Sequence, residues 1–273
     1  MISSAKMHKA EGVLRRLLPF RECVQTIIGN LLSSDAAVSS ALTQAPVAVN
    51  RVGIVVFGSD DGLCGAYNVN IFKGMLDTIA GLRKELGEGL EIEIITVGKK
   101  MYKAVEKISI SDSKIELKPY SGIDSKSEGD SVKEFAQYLE HRFLTGDLGR
   151  VLLQYMHFHS AGKQRLKSDT YLPVSQEVLS STSGKNKGGR PYLFEPDAAT
   201  IFATVLPMYL LSVLQEAFAQ NRASEQAARV MAMQSANDNA QKLLEQLQLE
   251  YNKLRQQSIT TELLDIVGGQ IRD

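Results

Sequence analysis

Met208-Tyr-Leu-Leu-Ser-Val-Leu-Gln-Glu-Ala-Phe-Ala-Gln-Asn-Arg222 opens a run that reaches Val267 without a glycine or a proline. Sixty residues free of both breakers predict one helix, about 90 Å long if helical throughout. Average helices are far shorter. Val230, Met233, Asn237, Ala240, Leu244, Leu247, Tyr251 and Leu254 fall on one register of alternating three- and four-residue steps. That spacing is the a/d seam of a helix packed along another helix. Ala217, Ala219, Ala223, Ala227, Ala228, Ala232 and Ala236 are small enough to let a partner approach closely. Asp197, after Pro196, predicts the N-cap, and Gly268 and Gly269 predict the end.

Working back along the chain, a second stripe occupies the N-terminus. Ala10, Val13, Leu17, Phe20, Val24, Ile27 and Leu31 alternate in the same way, in a segment running from Met1 to about Leu42 with Pro19 inside it. A proline costs a helix roughly 3 kcal/mol and predicts a bend there. Two striped arms at the two ends of a chain pack most simply as an antiparallel coiled coil. The C-terminal arm is longer by several turns, so its last part is expected to lack a partner within the chain.

Between the arms the periodicity changes. Val52 to Phe57, Ile92 to Val97 and Val151 to Tyr155 read as buried strands. Helices are expected from Asn68 to Leu86 and from Asp130 to Thr145, the latter burying Val132, Phe135, Ala136, Leu139 and Phe143. Strands alternating with helices predict a mostly parallel sheet. Ser121 to Asp130 and Ser180 to Gly189 are polar and read as mobile loops. The fold class expected is thus α/β. A central Rossmann-like domain, 50–195, sits between coiled-coil arms 1–45 and 197–273.

Composition removes several function classes. The formal net charge is zero, so no global field points to nucleic acid or an anionic surface. Cys23 and Cys64 are too few for a disulfide framework, and a reducing compartment is expected. The longest apolar run, Ile201 to Leu214, is interrupted by Pro207 and is short for a bilayer span. No signal peptide is read at the start, which leaves the cytoplasm as the default location.

Motifs for chemistry are sparse. Gly58-Ser-Asp-Asp-Gly-Leu-Cys-Gly65 follows the first strand, where a loop can present N–H groups to phosphate. Its spacing fits neither a dinucleotide fingerprint nor a P-loop, and Asp60 and Asp61 would repel phosphate. A structural turn is the expected role, and a nucleotide-binding enzyme is kept as the rival. The two aspartates could hold Mg²⁺, but no further ligands suggest themselves. His157 and His159 lack third and fourth metal ligands. Cys64 reads as a small buried thiol. No metal, cofactor or catalytic residue is expected. Lys6, Lys9, Arg15, Arg16 and Arg21 outnumber Glu11 and Glu22 and read either as a solvated face or as a contact for acidic protein loops or phosphates. Arg255, Gln256, Thr260 and Glu262 cluster where the apolar register fails, as either a frayed helix end or a partner-contacting surface.

Four stretches resemble one family, in order along the chain. Ile259-Thr-Thr-Glu-Leu-Leu-Asp-Ile-Val-Gly-Gly269 is similar to the C-terminal signature of F-type ATP synthase gamma subunits. Ala223-Ser-Glu-Gln-Ala-Ala-Arg-Val-Met-Ala-Met233 resembles that family's long-helix motif. Ser59-Asp-Asp-Gly-Leu-Cys-Gly-Ala-Tyr-Asn68 resembles its glycine loop, and Tyr192-Leu-Phe-Glu-Pro-Asp197 the entry to its last helix. Met1 to Lys6 looks like the middle of the family's first helix, so a shortened bacterial-type chain is expected. The resemblance implies a non-catalytic rotor whose coiled coil enters an alpha–beta hexamer. Its α/β domain would lie near the epsilon subunit and the c-ring, at the cytoplasmic face of the bacterial inner membrane. Ion flow would turn it and drive ATP synthesis on beta. By the same resemblance Arg255, Gln256, Thr260 and Glu262 would meet the beta catch loops, and Tyr192 and Glu195 the epsilon and c-ring foot. Asp61 stands where that family usually has arginine, and Gln270 where it usually has alanine. The regulatory insertion with paired cysteines found in chloroplast relatives is absent, so redox control is not expected.

Overall fold

A computed structural model describes residues 2–33, 39–44, 46, 49–110, 112–180 and 194–270. The chain divides into two compact units, Met1–Val230 and Met231–Asp273.

The first unit holds the sheet. Helix α1 (Ile2–Leu32) leads to β1 (Arg51–Phe57), α2 (Tyr67–Leu86), β2 (Glu91–Val97), α3 (Lys99–Ser109), β3 (Ile115–Leu117) and α4 (Asp130–Leu144). Then come β4 (Arg150–Ser160), β5 (Lys163–Leu172), α5 (Gln176–Ser180) and α6 (Ala198–Gln270). The strand order is β3-β2-β1-β4-β5, with β4–β5 antiparallel and every other pair parallel.

The near-continuous apolar reading of β1 and β2 follows from burial on both faces. Val52, Ile54, Val56, Ile92 and Ile94 pack with Tyr67, Ile71, Met75, Met101 and Val105 of α2 and α3. Val55, Phe57, Ile95 and Val97 alternate with them and face the other way. They join a core with Val132, Phe135 and Leu139 of α4, Val24, Ile28 and Leu31 of α1, and Phe202, Leu206, Tyr209, Leu210 and Leu214 of α6. Each such side chain, fully buried, contributes about 1.5–3 kcal/mol.

The apolar start of α6 is therefore a core helix. Within the intact helix a stretch long and apolar enough to cross a membrane does exist, which corrects the expectation drawn from Pro207. Of that stretch 39% is buried, where Phe202, Leu206, Tyr209 and Leu210 join the core.

Four of these elements escaped the sequence reading: α3, β3, β5 and the short α5. Helix α3 buries only Met101 and Val105. Strand β3 is three residues long. Strand β5 is an edge strand whose residues from Lys163 to Thr170 are charged, polar or exposed. Charge suits a solvent-facing edge, because it deters further strand pairing. It also erases the alternation by which strands are recognised. Strand β4 runs on to Ser160, five residues past the expected end, because β5 pairs with its overhang.

The stripe on α1 is corrected in phase. The helix buries Met7, Ala10, Leu14, Val24, Ile28 and Leu31, while Phe20 is 50% and Ile27 40% exposed. Four-then-three steps replace three-then-four, and both start from Ala10. Arg21 takes the step next to Phe20 and pairs with Glu216 of α6. Ala10 and Leu14 share a small cluster with Ala219 and Ala223. Rising numbers on α1 thus meet falling numbers on α6, the antiparallel pairing expected.

Gly98 joins β2 to α3 at φ +110°, and a Cβ there would lie 3.0 Å from the backbone carbons of Gly58 and Ser59. Backbone cannot give way as a flexible side-chain end can. Gly98→Ala is expected to cost about 1–3 kcal/mol, read as a lower urea midpoint at unchanged slope.

Candidate functional site: a filled crevice and an uncovered helix

In open α/β sheets ligands bind outside the carboxyl ends of the strands, where the strand order reverses. In this sheet that point lies between β1 and β4, beside the loop Gly58–Gly65. The crevice is occupied by α6. Asn221 Nδ2 donates to Gly58 O at 3.1 Å. Arg229 donates to Gly62 O at 3.1 Å and to Asp61 O at 3.4 Å. Ser224 Oγ donates to Met156 O on β4 at 2.9 Å. The loop presents carbonyl acceptors to helix donors, and the Ser59 N–H is taken by Asn68 Oδ1 at 3.1 Å. A phosphate needs free N–H groups turned the other way. The loop is a structural turn that docks a helix, and the nucleotide rival is not favoured.

The titratable groups nearby serve the same end. Asp60 Oδ1 accepts from Lys99 N at the start of α3, and Oδ2 accepts from Ser125 Oγ at 2.6 Å. Burial pushes the Asp60 carboxyl up, but these hydrogen bonds outweigh it and leave the group below the ordinary carboxylate range. The segment after Ser121, expected to be mobile, is tied down by Asp60 and by Arg222, which donates to Ser125 O and Ser127 O. The other expected loop, 180–189, falls almost wholly outside the described residues.

Asp61 is exposed, with Lys126 at 3.7 Å. Cys64 is buried, as expected. Burial and then the Glu225 charge push the Tyr67 hydroxyl well above its usual range, so it stays protonated and donates to Asn221 Oδ1 at 2.6 Å. Burial, then Lys167, lowers the pKa of His157, which sits 3.5 Å from Gln220 Nε2 at the sheet end. Among the described residues no three His, Cys, Asp or Glu side chains are placed to hold a metal ion.

The second unit is helical from Met231 through Gln270, so Gly268 and Gly269 do not end the helix as expected. Among its described residues, every side chain from Met233 to Ile266 is exposed. Leu244 is 49%, Leu247 53%, Tyr251 66% and Leu254 63% exposed. An uncovered apolar stripe of this length is the mark of an interaction surface. Fast amide exchange is expected from Gln241 to Ile266 in the isolated chain, because no tertiary contact protects those amides. Protection equal to that of β1 would contradict the uncovered stripe.

Arg255, Gln256, Thr260 and Glu262 all lie exposed within two turns of this helix. Arg255 and Glu262, seven residues apart, share a face. Gln256 and Thr260 are one turn apart on an adjacent face, where Thr260 Oγ1 donates to Gln256 O at 2.8 Å. Glu195 is exposed just before α6, whose first turn is capped by Asp197 Oδ1 accepting from Thr200 N at 2.8 Å. Tyr192 lies outside the described residues.

Sequence reading missed the buried polar set on α6: Ser212, Glu216, Gln220, Asn221, Ser224, Glu225, Gln226 and Arg229. The one signal for it was the alanine-rich run, which brings neighbouring backbone close enough for short polar side chains to reach.

A crevice filled by the chain's own helix, and a helix left with its apolar stripe bare, define a subunit of an assembly. The family model described as ATP synthase matches residues 1–270. The ATP synthase gamma chain of Bacteroides fragilis is 39% identical over 99% of this chain and 91% of its own length. That of Bacteroides thetaiotaomicron is 39% identical over 100% and 92%, and that of Chromobacterium violaceum 34% over 98% and 90%. This chain belongs to the ATP synthase gamma chain family. A chain in the Euglena gracilis mitochondrial ATP synthase structure (OSCP/F1/c-ring, rotational state 3) shares the fold, with TM-score 0.56 and 21% identity, covering 98% of this chain and 94% of that one.

Proposed function

We propose that this chain is the central-stalk rotor subunit of an F-type ATP synthase, coupling ion flow through a membrane ring to ATP synthesis or hydrolysis on beta subunits. It performs no bond chemistry itself. The carrying observation is the exposed stripe from Met233 to Leu254 on an otherwise helical segment. Such a surface is ordered and useful when a partner socket encloses it. The alpha–beta hexamer is that socket, and the epsilon subunit and c-ring are the partners of the α/β body. Arg255, Gln256, Thr260 and Glu262 contact the beta catch loops through charge-assisted hydrogen bonds that form and break as the shaft turns. Tyr192 and Glu195 belong to the foot near epsilon and the c-ring. In terms of role the chain divides into an arm at 1–45, a body at 50–195 and a shaft at 197–273. The protein is peripheral to the membrane, at the cytoplasmic face of a bacterial inner membrane.

Reconstitution tests this. The chain is mixed with alpha and beta subunits of the Bacteroides enzyme, and assembly is followed by size and ATP hydrolysis by rate. A stable complex that hydrolyses ATP is expected. Failure to assemble with these and with the organism's own alpha and beta subunits would overturn the proposal.

A further inference from the structure

A helix clamped by a sheet ordinarily buries an apolar face. On α6, from Gln220 to Arg229, the side chains that meet the body are largely polar, and they bond mostly to backbone. Phe158 N on β4 donates to Gln220 Oε1 at 2.9 Å, and Ser224 Oγ donates to Met156 O on the same strand. Asn221 donates to Gly58 O and accepts from Tyr67 on α2. Arg222 reaches Ser125 O and Ser127 O, and Arg229 reaches Asp61 O and Gly62 O.

At about 100° per residue these groups fall on two sides of the helix. Gln220, Ser224 and Asn221 span about 100° of arc, and Arg222 and Arg229 lie about 180–200° around from Gln220. Ala219 and Ala223 occupy much of the remaining arc and meet Ala10 and Leu14 of α1. Alanine faces are shallow and offer little resistance to a helix turning about its axis. Hydrogen bonds are directional and weaken steeply when misaligned. Bonds placed on opposite sides form a couple that opposes rotation.

We infer that this polar collar is the clutch through which the α/β body and α6 exchange torque, with Asn221 and Arg229 as its principal positioning residues. The inference rests on the rotor reading. It assigns to Arg229 a mechanical role beyond stability. The guanidinium holds two carbonyls of the glycine loop at the last turn of α6 inside the first unit, and Glu225 at 2.7 Å fixes its orientation. A single point charge cannot replace the planar fork that reaches both carbonyls.

The test uses the full chain assembled with alpha and beta subunits. A rotation probe is attached to the body through Glu106→Cys on α3, with Cys23→Ser removing the exposed native thiol. Torsional stiffness is read from the angular fluctuations of the stalled complex. Asn221→Ala combined with Arg229→Ala is expected to lower the stiffness about twofold or more, while ATP hydrolysis persists. Leu139→Ala, a fully buried core change on α4 outside the collar, is expected to leave stiffness at the parent value. If the double variant does not assemble, Arg229→Lys and Ser224→Ala are read in the same way. Parent-like stiffness in the collar variants, or an equal loss in Leu139→Ala, would overturn the clutch and leave the rotor reading standing. A parent chain that neither assembles nor supports hydrolysis would overturn both.

Discussion

Arg142→Ala is expected to destabilise the folded body by about 3–5 kcal/mol. Glu93 lies on β2 in the interior of the sheet with no exposed surface. The Arg142 guanidinium, itself 5% exposed, grips it from α4 with both terminal nitrogens, Nη2 to Oε2 at 2.9 Å. Its Nε donates to Asp147 Oδ2 at 3.2 Å, and the group stands 5.6 Å over the Tyr138 ring. The hydrogen bond to Glu93 raises the Arg142 pKa further above its usual value. Alanine leaves a carboxylate in the core with only Arg51 near it, at 3.5 Å and partly in solvent. That residual partner places the effect toward the lower end of the range. Replacing both residues, Glu93→Leu with Arg142→Leu, is expected to recover most of the loss, because the desolvation cost leaves with the pair. Urea unfolding of the single and double variants against the parent decides the matter. A loss under about 1 kcal/mol in the single variant would mean that water reaches the site.

A chain ending at Val230 is expected to unfold within about 2 °C of the full chain and to bind the alpha–beta assembly at least about a hundredfold more weakly. The two halves of this expectation have separate grounds. The body's core is complete without the second unit, since the buried apolar residues from Met7 to Ala227 all lie in the first. Among the described residues of the second unit, none is buried. Leu244, Leu247 and Leu254 would each contribute about 1.5–3 kcal/mol if a partner enclosed them. Losing three such anchors more than accounts for a hundredfold drop. Calorimetry of the shortened chain reads the first half, and titration of assembly the second. A marked fall in unfolding temperature would show that the helix beyond Val230 supports the body. Unchanged assembly would show that the stripe is not the docking surface.

Local pattern determined much of this. The glycine- and proline-free run to Val267 could only be a long helix, because nothing in it offers an exit. The α/β class followed from apolar runs such as Val52 to Phe57, whose burial on both faces leaves no polar alternation to mistake. The bare stripe from Met233 to Leu254 was legible for the same reason: a seam longer than any partner in the chain must look elsewhere.

What the sequence could not settle were choices between near-equal local options. On α1 the Ala10-based steps of three-then-four are slightly the more apolar, since four-then-three puts Arg21 in place of Phe20, and packing against Ala219 and Ala223 selects Leu14 over Val13. Strand β5 has no apolar signal of its own, and pairing with β4 makes it a strand. The collar on α6 is the clearest case. Nothing in the local pattern marks Asn221, Ser224 and Arg229 as buried, since a polar residue carries no mark of which backbone carbonyl it will meet. Their partners lie from 68 to 168 residues away, and closure of the sheet brings them together. Side-chain periodicity is a local property, whereas satisfying a buried hydrogen bond is a property of the assembled fold.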